Sequence, residues 1–291
     1  MKVLDGKNLS NIIKVEIKEV VDKRLSLGMK QPHLAAILVG NDGASLTYVG
    51  SKVRSCKQVG FVSTLIQLKD SVTEKDLLLE IKKLNEDKSV DGYIVQLPLP
   101  KHINENRVLQ AIDPEKDVDG FHPTNFGRMA LELPTFIPAT PFGIMEIIKR
   151  YNITTSGKNC LVIGRSNIVG RPISVLMSQK GPYGNATVTV AHSKTKNINE
   201  LTLKADIIIS ALGIPEFLKK EMVKIDVIII DVGITRVIDN TNPKGYVIKG
   251  DVDFKNVSKK ASYITPVPGG VGPMTISMLL KNTLLACQRK D

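Results

Sequence analysis

Tryptophan is absent from the 291-residue chain, and aromatic residues together make up only 4% of it. So few flat side chains leave little on which nucleic-acid bases can stack. Positive charge is present but dispersed: the formal net charge is +11, yet only short clusters such as Lys219-Lys220 and Lys259-Lys260 stand together. A nucleic-acid surface concentrates its charge more than this, so no nucleic-acid partner is expected. The basic excess reads as solvated surface with a modest attraction for small anions such as phosphates and carboxylates. Cysteine is scarce as well. Cys56, Cys160 and Cys287 are odd in number, far apart and without metal-ligand spacing, which predicts reduced thiols rather than a disulfide frame. The histidines, His33, His102, His122 and His192, show no paired ligand spacing, so no metal is expected. No apolar run approaches the length of a membrane span, and Met1-Lys2-Val3-Leu4-Asp5-Gly6 lacks the basic-then-apolar design of a signal peptide. A cytoplasmic protein without membrane association is therefore the expectation.

What the chain does contain is a soluble, globular composition, 42% hydrophobic and 24% charged, at a length that accommodates two domains. Apolar residues Ile12, Ile13, Val15, Ile17, Val20, Val21 and Leu25 recur at helical spacing and predict a helix over 9–27, stopped by Gly28. A strand over 34–39, a helix over 45–60, a strand over 62–68, a helix over 73–86 with Thr73 as N-cap, and a strand over 90–97 follow in turn. This alternation predicts a parallel, right-handed α/β layer. Between Ile112 and Pro141 the pattern lapses into Pro, Gly, Asn and Asp, which reads as a site-forming loop region. The alternation then restarts with a helix from about Pro141 and continues to a strand over 246–249. The expected architecture is two α/β domains with a cleft between them, the second a Rossmann-like dinucleotide-binding domain. The first spans 1–140, with the helix at 272–291 packing back on it, and the second spans 141–271.

The second unit is organised around Asn159-Cys160-Leu161-Val162-Ile163-Gly164-Arg165-Ser166-Asn167-Ile168-Val169-Gly170-Arg171-Pro172, which reads as a buried strand, a glycine-bounded turn and the opening of a helix. Free N–H groups and the positive dipole end at that helix start would face an anion. The usual middle glycine of a dinucleotide fingerprint is missing here, with Ser166 in its place. Also missing is the acidic residue that an NAD enzyme offers to the ribose after the next strand, where this chain has His192-Ser193-Lys194-Thr195. Arg165, Ser193 and Lys194 can instead accommodate a 2′-phosphate, which favours NADP over NAD.

In the first unit, Ser45, Tyr48, Lys52 and Cys56 fall along one helix face, with Tyr48 and Lys52 one turn apart. A lysine whose pKa is lowered by its surroundings can transfer protons, and a neighbouring tyrosine can stack on a flat ring. The plain alternative is an exposed lysine on an amphipathic helix. Gln96, in Gln96-Leu97-Pro98-Leu99-Pro100, ends a parallel strand, where its amide can orient a substrate atom or the Lys52 ammonium, or simply finish the strand. Of the carboxylates in Asp117-Val118-Asp119, either can cap a turn or accept paired N–H bonds from an aminopyrimidine-like ring. The stretch from Thr265 to Thr275 is too rich in Gly and Pro for a core element and reads as a connector or as a loop able to lie beside a flat ligand.

Taken in order, Ser45-x-x-Tyr48-Val49-x-x-Lys52, 96–100, Lys116-Asp117-Val118-Asp119-Gly120-Phe121, Gly164-Arg165-Ser166 with Val169-Gly170-Arg171-Pro172, His192-Ser193-Lys194-Thr195, Asp231-Val232-Gly233, Gly250-Asp251-Val252 and 266–275 resemble the bifunctional methylenetetrahydrofolate dehydrogenase/cyclohydrolase family. The resemblance implies NADP-dependent oxidation of 5,10-methylenetetrahydrofolate and hydrolysis of the methenyl product to 10-formyltetrahydrofolate, within one-carbon metabolism and purine biosynthesis. It further implies that Lys52 is the acid/base of the hydrolysis, that Gln96 tunes it, that Tyr48 borders the folate rings and that Asp119 anchors the pterin, giving Lys52, Tyr48, Gln96 and Asp119 as catalytic candidates. Leu97, Pro268 and Gly269 would border the folate. Gly164, Arg165, Ser166, Val169, Ser193, Gly213 and Ile234 would hold NADP. A homodimer using tetrahydrofolate derivatives is the implied assembly. One departure is Ala139 in Pro138-Ala139-Thr140-Pro141, where many relatives carry cysteine, so a thiol-based role at that position is out of reach.

Overall fold

The computed structural model describes residues 1–243 and 245–291. The chain divides into two compact units, one formed by Asn11–Ala139 with Ile276–Asp291 and the other by Met1–Ser10 with Thr140–Thr275. In chain order, β1 (Lys2–Val3) and α1 (Gly6–Ser26) are followed by β2 (His33–Val39), α2 (Gly43–Val59), β3 (Val62–Leu68), α3 (Glu74–Glu86), β4 (Gly92–Val95), α4 (Glu105–Ala111) and α5 (Pro123–Ala130). Then come α6 (Ala139–Arg150), β5 (Asn159–Ile163), α7 (Gly170–Ser178), β6 (Thr187–Ala191), α8 (Ile198–Lys204), β7 (Ile207–Ser210) and β8 (Val227–Asp231). The chain ends through β9 (Thr235–Ile238), β10 (Tyr246–Lys249), α9 (Phe254–Val257), β11 (Ala261–Ile264) and α10 (Val271–Gln288).

In the first of these units, β3, β2 and β4 form a parallel sheet with β2 in the middle, so that Ile37 pairs with both Ile66 and Val95. The apolar run of β2 is buried on both faces, as a central parallel strand requires. One face carries a core of Ile37, Val39, Leu77, Ile81, Tyr93 and Val108. Asp42 caps α2 by accepting from the Ser45 N–H at 2.8 Å, and Gly60 ends it with φ of 79°. The chain leaving α4 returns beside β4, where Tyr93 bridges in parallel to Asp117. The stretch expected to be loop contains α5, which starts from a His122 cap with Pro123 in its first turn.

The other unit holds a parallel six-stranded sheet in the order β1-β11-β8-β7-β5-β6. Its branched apolar strands bury Ile207, Ile208, Ile209, Ile229 and Ile230 completely. Because β6 lies to one side of β5 and β7 to the other, the order reverses at β5, the kind of switch point where α/β sheets take ligands beyond their strand ends. Met1–Ser10 belongs to this unit rather than to the one carrying the rest of the N-terminal half. The cause is local: Lys2 and Val3 pair with Tyr263 and Ile264 on β11, and the Lys7 N–H donates to the Gly269 carbonyl at 2.8 Å. The final helix starts at Val271, earlier than its apolar periodicity indicates, because Pro273 is tolerated in a first turn. Its later part belongs to the other unit, where Asn282 Nδ2 donates to the carbonyls of Val118 at 2.8 Å and Ile137 at 2.9 Å.

Candidate active site

Lys52 projects from α2 but only 6% of it is exposed, so the reading of an ordinary surface lysine does not describe it. Its Nζ donates to Gln96 Oε1 at 3.2 Å and lies 5.2 Å from the centre of the Tyr48 ring, one turn back on the same helix. Gln96, half-buried just past the end of β4, is itself fixed: its Nε2 donates to the Leu97 carbonyl at 2.6 Å, which leaves the acceptor oxygen facing the lysine. Burial pulls the Lys52 pKa down from the usual ammonium value, against the opposing attraction of Asp119 and then of Cys56. Cys56, one more turn along, is fully buried, and burial pushes its thiol up to about 11.

The two carboxylates of Asp117 and Asp119 divide the tasks that the sequence leaves open between them. Asp117 Oδ2 accepts from the His122 N–H at 2.8 Å and from Asn125 Nδ2 at 2.9 Å, so it fixes the turn into α5. The Asp119 carboxylate accepts no hydrogen bond among the described residues and keeps part of its surface open. Burial raises its pKa, with Lys52 pulling the other way. Lys52, Tyr48, Gln96 and Asp119 thus come from one helix, the end of β4 and the segment bridged to β4 at Asp117, all in a single unit. They combine a proton-transfer group with lowered charge stability, a flat ring and an open acceptor.

In the other unit the candidate dinucleotide residues fall at the carboxyl ends of successive parallel strands: Gly164, Arg165 and Ser166 after β5, Ser193 after β6, Gly213 after β7 and Ile234 after β8. Gly164 has φ of 122°, and a side chain there would run into the Ala211 carbonyl oxygen. The expectation of free N–H groups at the start of α7 is corrected. Val169 and Gly170 donate to Ser166 Oγ at 3.2 and 3.3 Å, Arg171 donates to the Ser166 carbonyl at 3.0 Å, and Pro172 has no N–H. The Ser166 that replaces a glycine caps the helix instead. In the exposed turn the amides of Arg165, Ser166, Asn167 and Ile168 donate to no protein group among the described residues, which leaves four donors available to an anion. Arg165, Ser193 and Lys194 are exposed on turns leaving the paired strands β5 and β6, and no acid stands among them. A glycine cradle, open amides and a cationic, acid-free edge fit a dinucleotide with a 2′-phosphate.

Pro268 and Gly269 line a cavity of about 130 Å³ together with Ile234 and Asp231. Among the described residues no group of three or more His, Cys, Asp or Glu is disposed to hold a metal ion, and no helix is long and apolar enough to cross a membrane. The three cysteines are free and buried. Residues 4–119 match the model of a family described as tetrahydrofolate dehydrogenase/cyclohydrolase, catalytic domain, and residues 138–291 match the NAD(P)-binding domain of the same family. The chain belongs to this family.

Other tetrahydrofolate dehydrogenase/cyclohydrolases are similar along nearly their whole length. The bifunctional protein FolD of Flavobacterium johnsoniae is 68% identical over 286 residues, covering 98% of this chain and 97% of the relative. The crystal structure of the bifunctional FolD enzyme from Campylobacter jejuni superposes with a TM-score of 0.94 at 48% identity, covering all of both chains. The FolD structure from Trypanosoma brucei, solved with NADP cofactor and an inhibitor, gives a TM-score of 0.94 at 38% identity over 99% of this chain and 97% of that one. Asp231 and Asp251 stand within two of the motifs by which the sequence resembles this family, but the sequence assigns them no role; both carboxylates lie buried behind the loops after β7 and β8. Asp231 accepts from the N–H groups of Gly233, Asp251 and Val252 at 2.9–3.0 Å, and burial raises it to about 7. Their one sequence signal is a glycine beside each, in Asp231-Val232-Gly233 and Gly250-Asp251-Val252.

Proposed function

We propose that this chain oxidises 5,10-methylenetetrahydrofolate with NADP and hydrolyses the methenyl product to 10-formyltetrahydrofolate, the first unit binding folate and the other NADP. The observation that carries the reading is the buried Lys52 held between Gln96 and Tyr48 beside the open carboxylate of Asp119. Gly164, Arg165, Ser166, Val169, Ser193, Gly213 and Ile234 hold the dinucleotide, which supplies the hydride acceptor for the oxidation. Asp119 accepts the N–H groups of the pterin edge, and Tyr48 and Leu97 border the folate rings.

Hydrolysis follows from the state of Lys52. Its lowered pKa increases the neutral fraction, whose Nζ takes a proton from the water that adds to the methenyl carbon. The resulting ammonium is stabilised by Gln96 Oε1 and by the negative field of Asp119, and it returns that proton to the folate nitrogen as the carbon–nitrogen bond opens, while the new hydroxyl releases its own proton to solvent and becomes the formyl carbonyl. A dehydrogenase without hydrolase activity is the rival reading, and the pairing of Lys52 with Gln96 argues against it. Supplying methylene substrate and NADP to the purified protein decides between them. NADPH and 10-formyl product are both expected, and methenyl hydrolysis no faster than the uncatalysed rate would overturn the bifunctional reading.

The pH dependence has a defined direction. Hydrolysis is expected to rise with pH as Lys52 loses its proton, with an inflection below the ordinary lysine value because burial destabilises the ammonium. Replacing Asp119→Asn removes an attraction that raises the Lys52 pKa, so the inflection in kcat moves to still lower pH. An unmoved or raised inflection, read from corrected initial rates, would show that Asp119 does not act on Lys52. For the cofactor, Arg165→Ala is expected to weaken NADP about tenfold while leaving NAD within about twofold, the scale of one lost charge-assisted phosphate contact. Equal loss for both nucleotides would remove Arg165 from the 2′-phosphate site. The same reading places the protein in the cytoplasm as a homodimer that supplies formyl groups to purine biosynthesis. Sedimentation in dilute buffer tests the dimer.

A further inference from the structure

Asp251 is completely buried, yet every hydrogen bond to its side chain comes from or beside a turn at the surface. Its Oδ2 accepts from the Leu212 N–H at 2.6 Å and from the Ser210 hydroxyl at 3.2 Å, and its Oδ1 accepts from the Ile214 N–H at 3.0 Å. Both amides that flank Gly213 are thus tied to one carboxylate, while Gly213 itself sits exposed with φ of 71°. From the other side, the Thr235 hydroxyl donates to the Gly213 carbonyl at 3.2 Å. Asp251 is in turn held by Asp231, whose Oδ1 takes the N–H groups of Asp251 and Gly233. The close approach requires glycine at the neighbouring position, since a side chain on Gly233 would strike Asp251 Oδ1. One connected set of bonds therefore fixes the turn after β7 and the loop after β8.

A surface turn does not need this for its own stability, because water can satisfy exposed amides, whereas burying two adjacent carboxylates is costly. What the arrangement supplies is a single geometry for the backbone around Gly213. We propose that Asp251 is a positioning residue for the dinucleotide: its carboxylate presets the Leu212-Gly213-Ile214 turn against which NADP binds, and Asp231 holds it in register with the loop carrying Ile234. The proposal rests on the assignment of NADP to this strand edge. Only a carboxylate suits the role, because it presents acceptors on both oxygens, whereas an asparagine of the same shape offers one acceptor and turns an NH2 group against an amide N–H.

The test is calorimetric titration with NADP of wild-type protein, Asp251→Asn and the milder Ser210→Ala, alongside thermal melting, dehydrogenase kinetics and nucleotide-free methenyl hydrolysis. The expected result is a dissociation constant for NADP raised about tenfold in Asp251→Asn and about threefold in Ser210→Ala, in proportion to the bonds disturbed. The KM for NADP should rise with it, while kcat at saturating NADP and the rate of methenyl hydrolysis stay within about twofold. Wild-type NADP affinity in folded Asp251→Asn would overturn the proposal. So would a loss of hydrolysis matching the loss of NADP affinity, since that marks a general structural role. If Asp251→Asn does not fold, Ser210→Ala decides, and an unchanged affinity there overturns the proposal. Failure of the wild-type protein to bind NADP at all would instead overturn the cofactor assignment beneath it.

Discussion

Replacing Lys52→Met is expected to lower methenyl hydrolysis by roughly 10²- to 10⁴-fold, the range supplied by one positioned acid/base, while the dissociation constant for NADP stays unchanged. Methionine keeps an unbranched stem at this buried position beside Tyr48, so the loss reports the missing amine rather than a collapsed core. Two further effects follow. Gln96 Oε1 loses its donor, and Asp119 loses the positive neighbour that opposes its raised pKa, so Asp119 is expected to hold its proton to still higher pH and to bind the pterin less well. Lys52→Arg separates charge from proton transfer. It preserves a cation for Asp119, but a guanidinium does not release a proton near neutral pH, so folate affinity is expected to survive better than in Lys52→Met while hydrolysis is lost in both. Hydrolysis is followed with methenyl substrate and NADP affinity by titration. Unchanged turnover in Lys52→Met would remove this residue from the reaction.

The site is more legible in the sequence than the boundaries of the units, for a physical reason. Tyr48 and Lys52 are readable because a four-residue spacing on a helix has one spatial meaning, and Gln96 because a strand broken by Pro98 must end beside it. The depth of Lys52 is not readable, since its burial depends on groups far along the chain, such as Gln96 and Asp119, that only the fold brings beside it. Asp117 and Asp119 are indistinguishable in sequence. Only the fold shows that Asp117 is occupied by His122 and Asn125 and that Asp119 is open. Met1–Ser10 escapes a pattern reading because β1 has two residues and acquires its partner, β11, from more than two hundred positions away. The helix α4 is similarly short and relies on Asn104 as its cap. Asp231 and Asp251 are hidden most thoroughly. Their partners are mostly backbone amides, which every sequence has, so the two motifs that contain them show no chemistry until the chain folds.

The second large effect is expected at Gly164, whose replacement by alanine tests the cradle through two separable costs. The first is the backbone conformation: φ of 122° is disfavoured for any L side chain and costs about 1–3 kcal/mol. The second is position, because the new methyl group would meet the Ala211 carbonyl and push β5 away from the turn after β7, on which Gly213 lies. Gly157→Ala isolates the first cost. Gly157 also has positive φ, at 72°, but a side chain there meets nothing within 4 Å, and it precedes the opposite end of β5. Both variants are therefore expected to melt earlier than the wild type. Gly164→Ala alone is expected to weaken NADP by at least about tenfold, because only there does the strain reach the backbone proposed to face the phosphates. Wild-type NADP affinity in Gly164→Ala would show that this glycine serves the strand rather than the cofactor. A matching loss in Gly157→Ala would show that affinity follows the stability of the whole unit. The predicted separation between the two variants distinguishes a phosphate cradle from an ordinary turn between a strand and a helix, and it does so without reference to the missing middle glycine, whose place Ser166 uses to cap α7.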